Sequence, residues 1–159
     1  MLIDKPTGMT SFGVVARLRR VLTQRAGKKV KVGHTGTLDP FASGLMIIVT
    51  GKECKNAGTY TKLDKVYEAT FCLGESSTTG YPEGDITAVS SHKPERIDIE
   101  MALTRFVGEI EQRPPIFSAI KIDGKRAYKL ARSGEHVEIP LRTVHVYALE
   151  LLDYAYPEM

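Results

Sequence analysis

Hydrophobic and polar positions along this chain switch between helical and extended periods without settling into either. Met1–Asp4 reads as a short strand. Lys5-Pro6-Thr7-Gly8-Met9-Thr10-Ser11 is a loop of turn residues, and Val14, Val15, Leu18, Val21 and Leu22 then recur at helical spacing, with Thr10 or Ser11 able to cap that helix. Leu45-Met46-Ile47-Ile48-Val49 is an uninterrupted apolar run of strand length, the pattern of a buried element. Gly51–Tyr60 suits a helix. Val66–Leu73 alternates with period two, so a strand is expected there. After a loop at Gly80–Gly84, Ile97–Val107 places Ile99, Leu103 and Phe106 at helical spacing until Pro114-Pro115 breaks the pattern. Ile116–Ile122 is strand-like, Asp123-Gly124 is a turn signal, Ala127–Arg132 is a short helix ended by Gly134, and Val144–Leu152 is a last strand. Strands and helices mix without a βαβ rhythm. The expected class is α+β, a mixed and mostly antiparallel sheet with flanking helices.

Composition adds little to that picture: 159 residues suit one domain, and 42% hydrophobic with 26% charged content is ordinary for a globular protein. No apolar run is long enough to cross a bilayer as a helix, and Asp4 and Lys5 interrupt any signal-peptide pattern. Cys54 and Cys72 lie far apart and form neither a disulfide framework nor a metal knuckle. A reduced, cytoplasmic protein is expected.

Charge changes the picture more. The net +3 conceals a basic N-terminal stretch: residues 1–38 carry eight Lys/Arg against Asp4 alone, and the remainder carries 14 basic and 18 acidic residues. Arg17, Arg19, Arg20, Arg25, Lys28, Lys29 and Lys31 run without an acid among them. A second cluster is Arg113, Lys121, Lys125, Arg126, Lys129 and Arg132. Separated clusters of one sign point to a polyanion such as a phosphate backbone, against the plainer reading of a solvated face.

Several chemistries fall away. Gly51-Lys52 lacks the glycine and hydroxyl residue of a phosphate loop, and His34, His92, His136 and His145 show no metal-ligand spacing. No serine sits in a nucleophile elbow, and no close pair of carboxylates suggests glycoside hydrolysis. What remains is Gly33-His34-Thr35-Gly36-Thr37-Leu38-Asp39-Pro40, a tight loop presenting one carboxylate beside a buried run. Pro40 disfavours helical backbone at Asp39. The competing reading is a helix start, with Asp39 as N-cap and Pro40 in the first turn. A lone carboxylate, held in place and partly desolvated, can act as a covalent nucleophile, and suits an isomerisation better than an oxidation. Tyr67 and Tyr128, near basic residues, could stack on bases or simply pack in the core.

The octet, followed by Ala42-Ser43-Gly44-Leu45, resembles the catalytic motif of TruB-type tRNA pseudouridine synthases. Asp4-Lys5-Pro6-Thr7-Gly8-Met9-Thr10-Ser11 resembles that family's opening motif, and Lys65-Val66-Tyr67 with Leu73-Gly74 its tyrosine strand. Gln112-Arg113-Pro114-Pro115-Ile116-Phe117-Ser118-Ala119-Ile120-Lys121, with Tyr128, Ala131-Arg132 and Gly134, resembles its RNA-contacting insertion, placed here around 108–140. The resemblance implies a partial pseudouridine synthase catalytic domain over 1–159 that isomerises a uridine of the tRNA TΨC arm, conventionally position 55, after the base leaves its stack. It implies Asp39 as nucleophile, attacking carbon 6 of uracil or carbon 1′ of ribose. Tyr67 would stack on the flipped base and His34 would hold the RNA where the base left. Arg17, Arg20, Lys121, Lys125, Arg126 and Arg132 are the expected phosphate contacts. No cofactor and no metal is implied, the partner is the tRNA TΨC stem-loop, and a monomer with no protein or membrane partner is expected.

The chain departs from the family pattern twice. A further strand with a Lys-Gly-Thr-Tyr-Ile-Arg-like motif, carrying an arginine that pairs with the nucleophile, does not follow Val144–Leu152, nor does a C-terminal RNA-binding domain. In the loop Ser77–Gly84, Tyr81 stands where the family commonly has an aspartate. A fragment with weak or no turnover is therefore expected, because an unpaired carboxylate in a desolvated pocket is driven toward its neutral form.

Overall fold

The computed structural model describes residues 1–115, 121–122, 125–126 and 139–159. Two compact units divide the chain, Met1–Tyr67 and Glu68–Met159.

In the first unit, β1 (Leu2–Lys5) and β2 (Val32–His34) flank β3 (Gly44–Thr50), and both pair with it antiparallel. The register places Ile3 opposite Met46 and Gly33 opposite Val49. A central strand flanked on both edges explains the uninterrupted apolar run. Met46, Ile48 and Val49 are buried, whereas Leu45 at the strand's start is exposed. Helix α1 (Ser11–Ala26) begins where expected: Thr10 is the cap, its Oγ1 accepting the Gly13 amide at 3.0 Å. The helix ends at Gly27, whose φ of 64° is a left-handed conformation that glycine adopts without Cβ strain, and Arg25 lies in the last turn, where a cation suits the helix dipole. Val14 and Val15 pack against Met46 and Ile48 to form the core, with Ile3, Met9, Leu18, Val32 and Leu38 around it. Each such burial stabilises by roughly 1.5–3 kcal/mol. A 3-10 turn at Gly51–Asn56 and α2 (Ala57–Thr61) supply the helical stretch expected over Gly51–Tyr60.

The second unit is built from short antiparallel pairs. β4 (Glu75–Ser77) pairs with β5 (Ile86–Ala88), β6 (Gly108–Gln112) with β9 (Arg142–Val146), and β7 (Lys121–Ile122) with β8 (Lys125–Arg126). Helix α3 (Arg96–Leu103) continues into a 3-10 turn at Thr104–Phe106, matching the expected helix, and its first turn is closed by Asp98, which accepts the Glu95 amide at 3.1 Å. Arg96 bonds Glu100 at 2.8 Å and the Leu151 carbonyl at 3.0 Å.

The α+β class and the antiparallel pairing stand, but two expected strands do not form as drawn. Val66–Leu73 carries no ladder. It pairs only at its end, where Phe71 and Met159 exchange backbone hydrogen bonds of 2.9 and 3.0 Å and Leu73 donates to Pro157 at 2.8 Å. The last strand is Arg142–Val146, so pairing stops where Val144–Leu152 was expected to continue. Alternation marks which face of a strand would be buried, yet a strand exists only with a neighbour. Val66, Tyr67, Tyr147 and Leu152 have none among the described residues and are exposed. The expected turn at Asp123-Gly124 and the helix at Ala127–Arg132 lie outside the described residues, as does most of Ile116–Ile122.

Candidate active site

Asp39 sits in the connection between β2 and β3, residues 35–43. The first half of that connection prolongs the ladder: Thr35, buried, bonds the Ile47 carbonyl through its amide at 3.1 Å and its hydroxyl at 3.3 Å. His34 Nδ1 lies 2.7 Å from the Gly36 carbonyl. A carbonyl can only accept, so that nitrogen is the donor of this hydrogen bond, which fixes the ring's orientation on the loop. The Ala42 amide donates to the Asp39 carbonyl at 3.1 Å, which makes Asp39–Ala42 a β-turn with proline at its second position. The helix-cap reading of Asp39-Pro40 is thereby corrected: no helix starts here.

The loop is also gripped from outside. Gly8 donates its amide to the Pro40 carbonyl at 2.7 Å. Lys5, with no exposed surface, directs its Nζ to the carbonyls of Pro6 at 2.9 Å, Met9 at 2.8 Å and Pro40 at 3.5 Å. Ser11 Oγ donates to the Leu38 carbonyl at 2.8 Å and accepts from the Leu38 amide at 2.9 Å. The residues before and after Asp39 are thus tied to the segment 5–11. The Asp39 carboxylate itself has no hydrogen-bond or ion-pair partner among the described residues and is half-buried, so water reaches it. Asp39 is thus partly withdrawn from solvent on a loop held by its neighbours.

His34 and Asp39 share one hairpin. Tyr67 is 70% exposed, in a segment without regular secondary structure at the end of the first unit. Arg17 and Arg20 are exposed on α1 and line a shallow depression with Ala16, while the Arg19 guanidinium lies over the Phe12 ring, 5.6 Å from its centroid. Lys121, Lys125 and Arg126 fall on the β7–β8 pair, whose backbone alone is described, and Arg132 and Tyr128 lie outside the described residues. In the second unit, the Tyr81 carbonyl accepts Ser77 Oγ at 2.6 Å, a backbone role that any residue at that position could fill.

Residues 19–159 match the model of the TruB family pseudouridylate synthase N-terminal domain. The chain belongs to that family. It is 46% identical over 162 aligned residues to tRNA pseudouridine synthase B of Phocaeicola vulgatus, covering all of this chain and 68% of the relative. It is also 46% identical over 155 residues to the protein of the same name from Geobacillus thermodenitrificans, covering 96% of this chain and 50% of the relative. Against most of these relatives the chain spans about half their length. A chain in the crystal structure of a Cbf5–Nop10–Gar1 complex aligns with a TM-score of 0.58 at 25% identity, covering 99% of this chain and 36% of that one.

The scaffold under the TruB-family loop has no local signature. Lys5, Gly8 and Ser11 stand in a run of turn and capping residues, and a buried lysine looks the same in sequence as a solvated one. Nothing in local spacing reports that residues 5–11 meet residues 38–40.

Proposed function

We propose that this chain carries the nucleophile of a tRNA uridine isomerase, acting on the TΨC arm at position 55. The observation that carries the reading is the Asp39 carboxylate, without a partner among the described residues, on a loop tied down on both sides, in a chain of the TruB family. A fixed loop holds the carboxylate in one place, so little ordering is left for the moment of attack. Asp39 attacks carbon 6 of uracil or carbon 1′ of ribose, the bond from carbon 1′ to nitrogen 1 breaks, and the uracil turns. A bond from carbon 1′ to carbon 5 then forms, carbon 5 loses its proton, nitrogen 1 gains one, and Asp39 is released. The product is an isomer, so the step consumes neither oxidant nor reductant. His34, its ring oriented by the Gly36 carbonyl, holds the RNA where the base has left. Tyr67, exposed, stacks on the flipped base. Arg17 and Arg20, with Lys121, Lys125, Arg126 and Arg132, take phosphates.

A second reading is a tRNA-binding module with little turnover. It is favoured by the exposed apolar stretch around Val66, Tyr67 and Phe71 and by the half-length coverage of the relatives. One experiment separates the two: incubation with a TΨC stem-loop before and after Asp39→Asn, with pseudouridine and RNA retention both measured. Product from the parent and none from the variant supports the isomerase. Salt-sensitive binding by both without product supports the module. No binding at low salt sinks both.

A further inference from the structure

We infer that the Ser11 hydroxyl is a positioning residue for Asp39, setting the backbone that carries the carboxylate; its catalytic meaning rests on the reading of Asp39 as nucleophile. Ser11 is the first residue of α1 and 2% exposed. At that position a hydroxyl usually serves the helix end, but Thr10 already does so through Gly13. Ser11 instead reaches across 27 residues of sequence and spends its one donor and an acceptor site on a single residue, Leu38. The Leu38 amide belongs to the peptide from Thr37 and its carbonyl to the peptide that ends in the Asp39 nitrogen. One hydroxyl therefore fixes both peptide planes on the N-terminal side of Asp39, while Gly8 fixes the Pro40 carbonyl on the other. Leu38 also packs against the core that holds Val14 and Val15, a second tie between the loop and α1. A carboxylate displaced by about 1 Å can lose on the order of a hundredfold in rate.

The test compares Ser11→Ala, Ser11→Thr and Thr10→Ala in the full chain. Thr10→Ala removes the helix cap, at about 1 kcal/mol, without touching Leu38. It is the control for plain loss of stability. Amide exchange at Leu38 and the backbone and carboxyl chemical shifts of Asp39 are read by NMR, and pseudouridine formation and RNA affinity are read on a TΨC stem-loop. Ser11→Ala is expected to speed Leu38 exchange at least about tenfold beyond the change in Thr10→Ala and to move the Asp39 resonances. It is expected to lower kcat by about a hundredfold with RNA affinity unchanged. Ser11→Thr restores the hydroxyl and is expected to recover Leu38 protection. The inference is overturned if Leu38 exchange and the Asp39 resonances in Ser11→Ala match those in Thr10→Ala, or if, with a parent chain that makes pseudouridine, the two variants turn over equally. If the parent chain makes no pseudouridine, the functional reading fails alone, and the exchange rates and resonances still decide whether Ser11 sets the position of Asp39.

Discussion

Replacing Lys5 with methionine tests whether the loop scaffold is held by hydrogen bonds or by packing. The side chains have similar length and the Lys5 site is closed to solvent, so the substitution chiefly removes the ammonium donors. Two carbonyls, of Pro6 and Met9, receive short bonds from Nζ at 2.9 and 2.8 Å and have no other donor among the described residues. The Pro40 carbonyl is less exposed to the loss, because its contact with Nζ is long, at 3.5 Å, and the Gly8 amide remains at 2.7 Å. A buried acceptor left bare costs about 1–3 kcal/mol. Two of them give about 2–6 kcal/mol, and water entering beside the new thioether brings the expected loss toward the low end, about 2–3 kcal/mol. In a unit of this size that lowers the melting midpoint by roughly 8–24 °C. Urea unfolding followed by circular dichroism measures it. Lys5→Arg separates geometry from charge: the guanidinium keeps the charge but needs more room and a planar set of acceptors. It is expected to destabilise by at least 1 kcal/mol. The reasoning fails if Lys5→Met unfolds within 0.5 kcal/mol of the parent, roughly the range for a surface substitution, or if Lys5→Arg is as stable as the parent.

Three further outcomes follow from particular contacts. Ile48→Ala, at the most buried apolar position of the core, is expected to cost about 2–5 kcal/mol in urea unfolding, and a smaller loss would mean that α1 collapses onto β3. Arg17→Gln with Arg20→Gln is expected to weaken RNA binding similarly for different sequences and to reduce the slope of log affinity against log salt by about 1.4–1.8; an unchanged slope would remove α1 from the interface. Tyr60 donates its hydroxyl to Glu53 at 3.0 Å, and that hydrogen bond, then the Glu53 charge, then burial, raise its pKa above the ordinary value near 10. A raised folded-state pKa means that this contribution to stability is present below about pH 10 and fades as pH climbs through the folded value. The phenolate absorbance assigned by comparison with Tyr60→Phe should therefore appear at higher pH than in Glu53→Gln.

Elements whose information is local were legible. α1 announces itself through five apolar residues at helical spacing, a capping threonine and a terminal glycine. β3 does so through its unbroken apolar run. The short strands were not legible: Val32–His34, Glu75–Ser77 and Gly108–Gln112 have three to five residues each, several of them polar or charged, and alternation over so few positions is no signal. Val66–Leu73 fails in the opposite direction. Its alternation is clear, but Val66 is 99% exposed because no strand lies beside it among the described residues. A pattern within one segment specifies which face would be buried, and only the rest of the fold supplies the neighbour.

The site divides along the same line, and Asp39 shows why. The octet singles out the carboxylate, yet the dipeptide Asp39-Pro40 fits a helix start as well as a turn. Continuing a helix would require the Pro40 carbonyl to accept the Gly44 amide four residues on. That carbonyl is already taken by Gly8 and approached by Lys5, both from a segment more than thirty residues earlier. Gly44 meanwhile enters β3 with a φ of 126°, where no helix can go. The contacts that forbid the helix are therefore the ones that hold the loop still. A substitution that loosens Gly8 or Lys5 from Pro40 frees the acceptor a helix would need, so it loses the fixed position of Asp39 and the barrier to the competing conformation together.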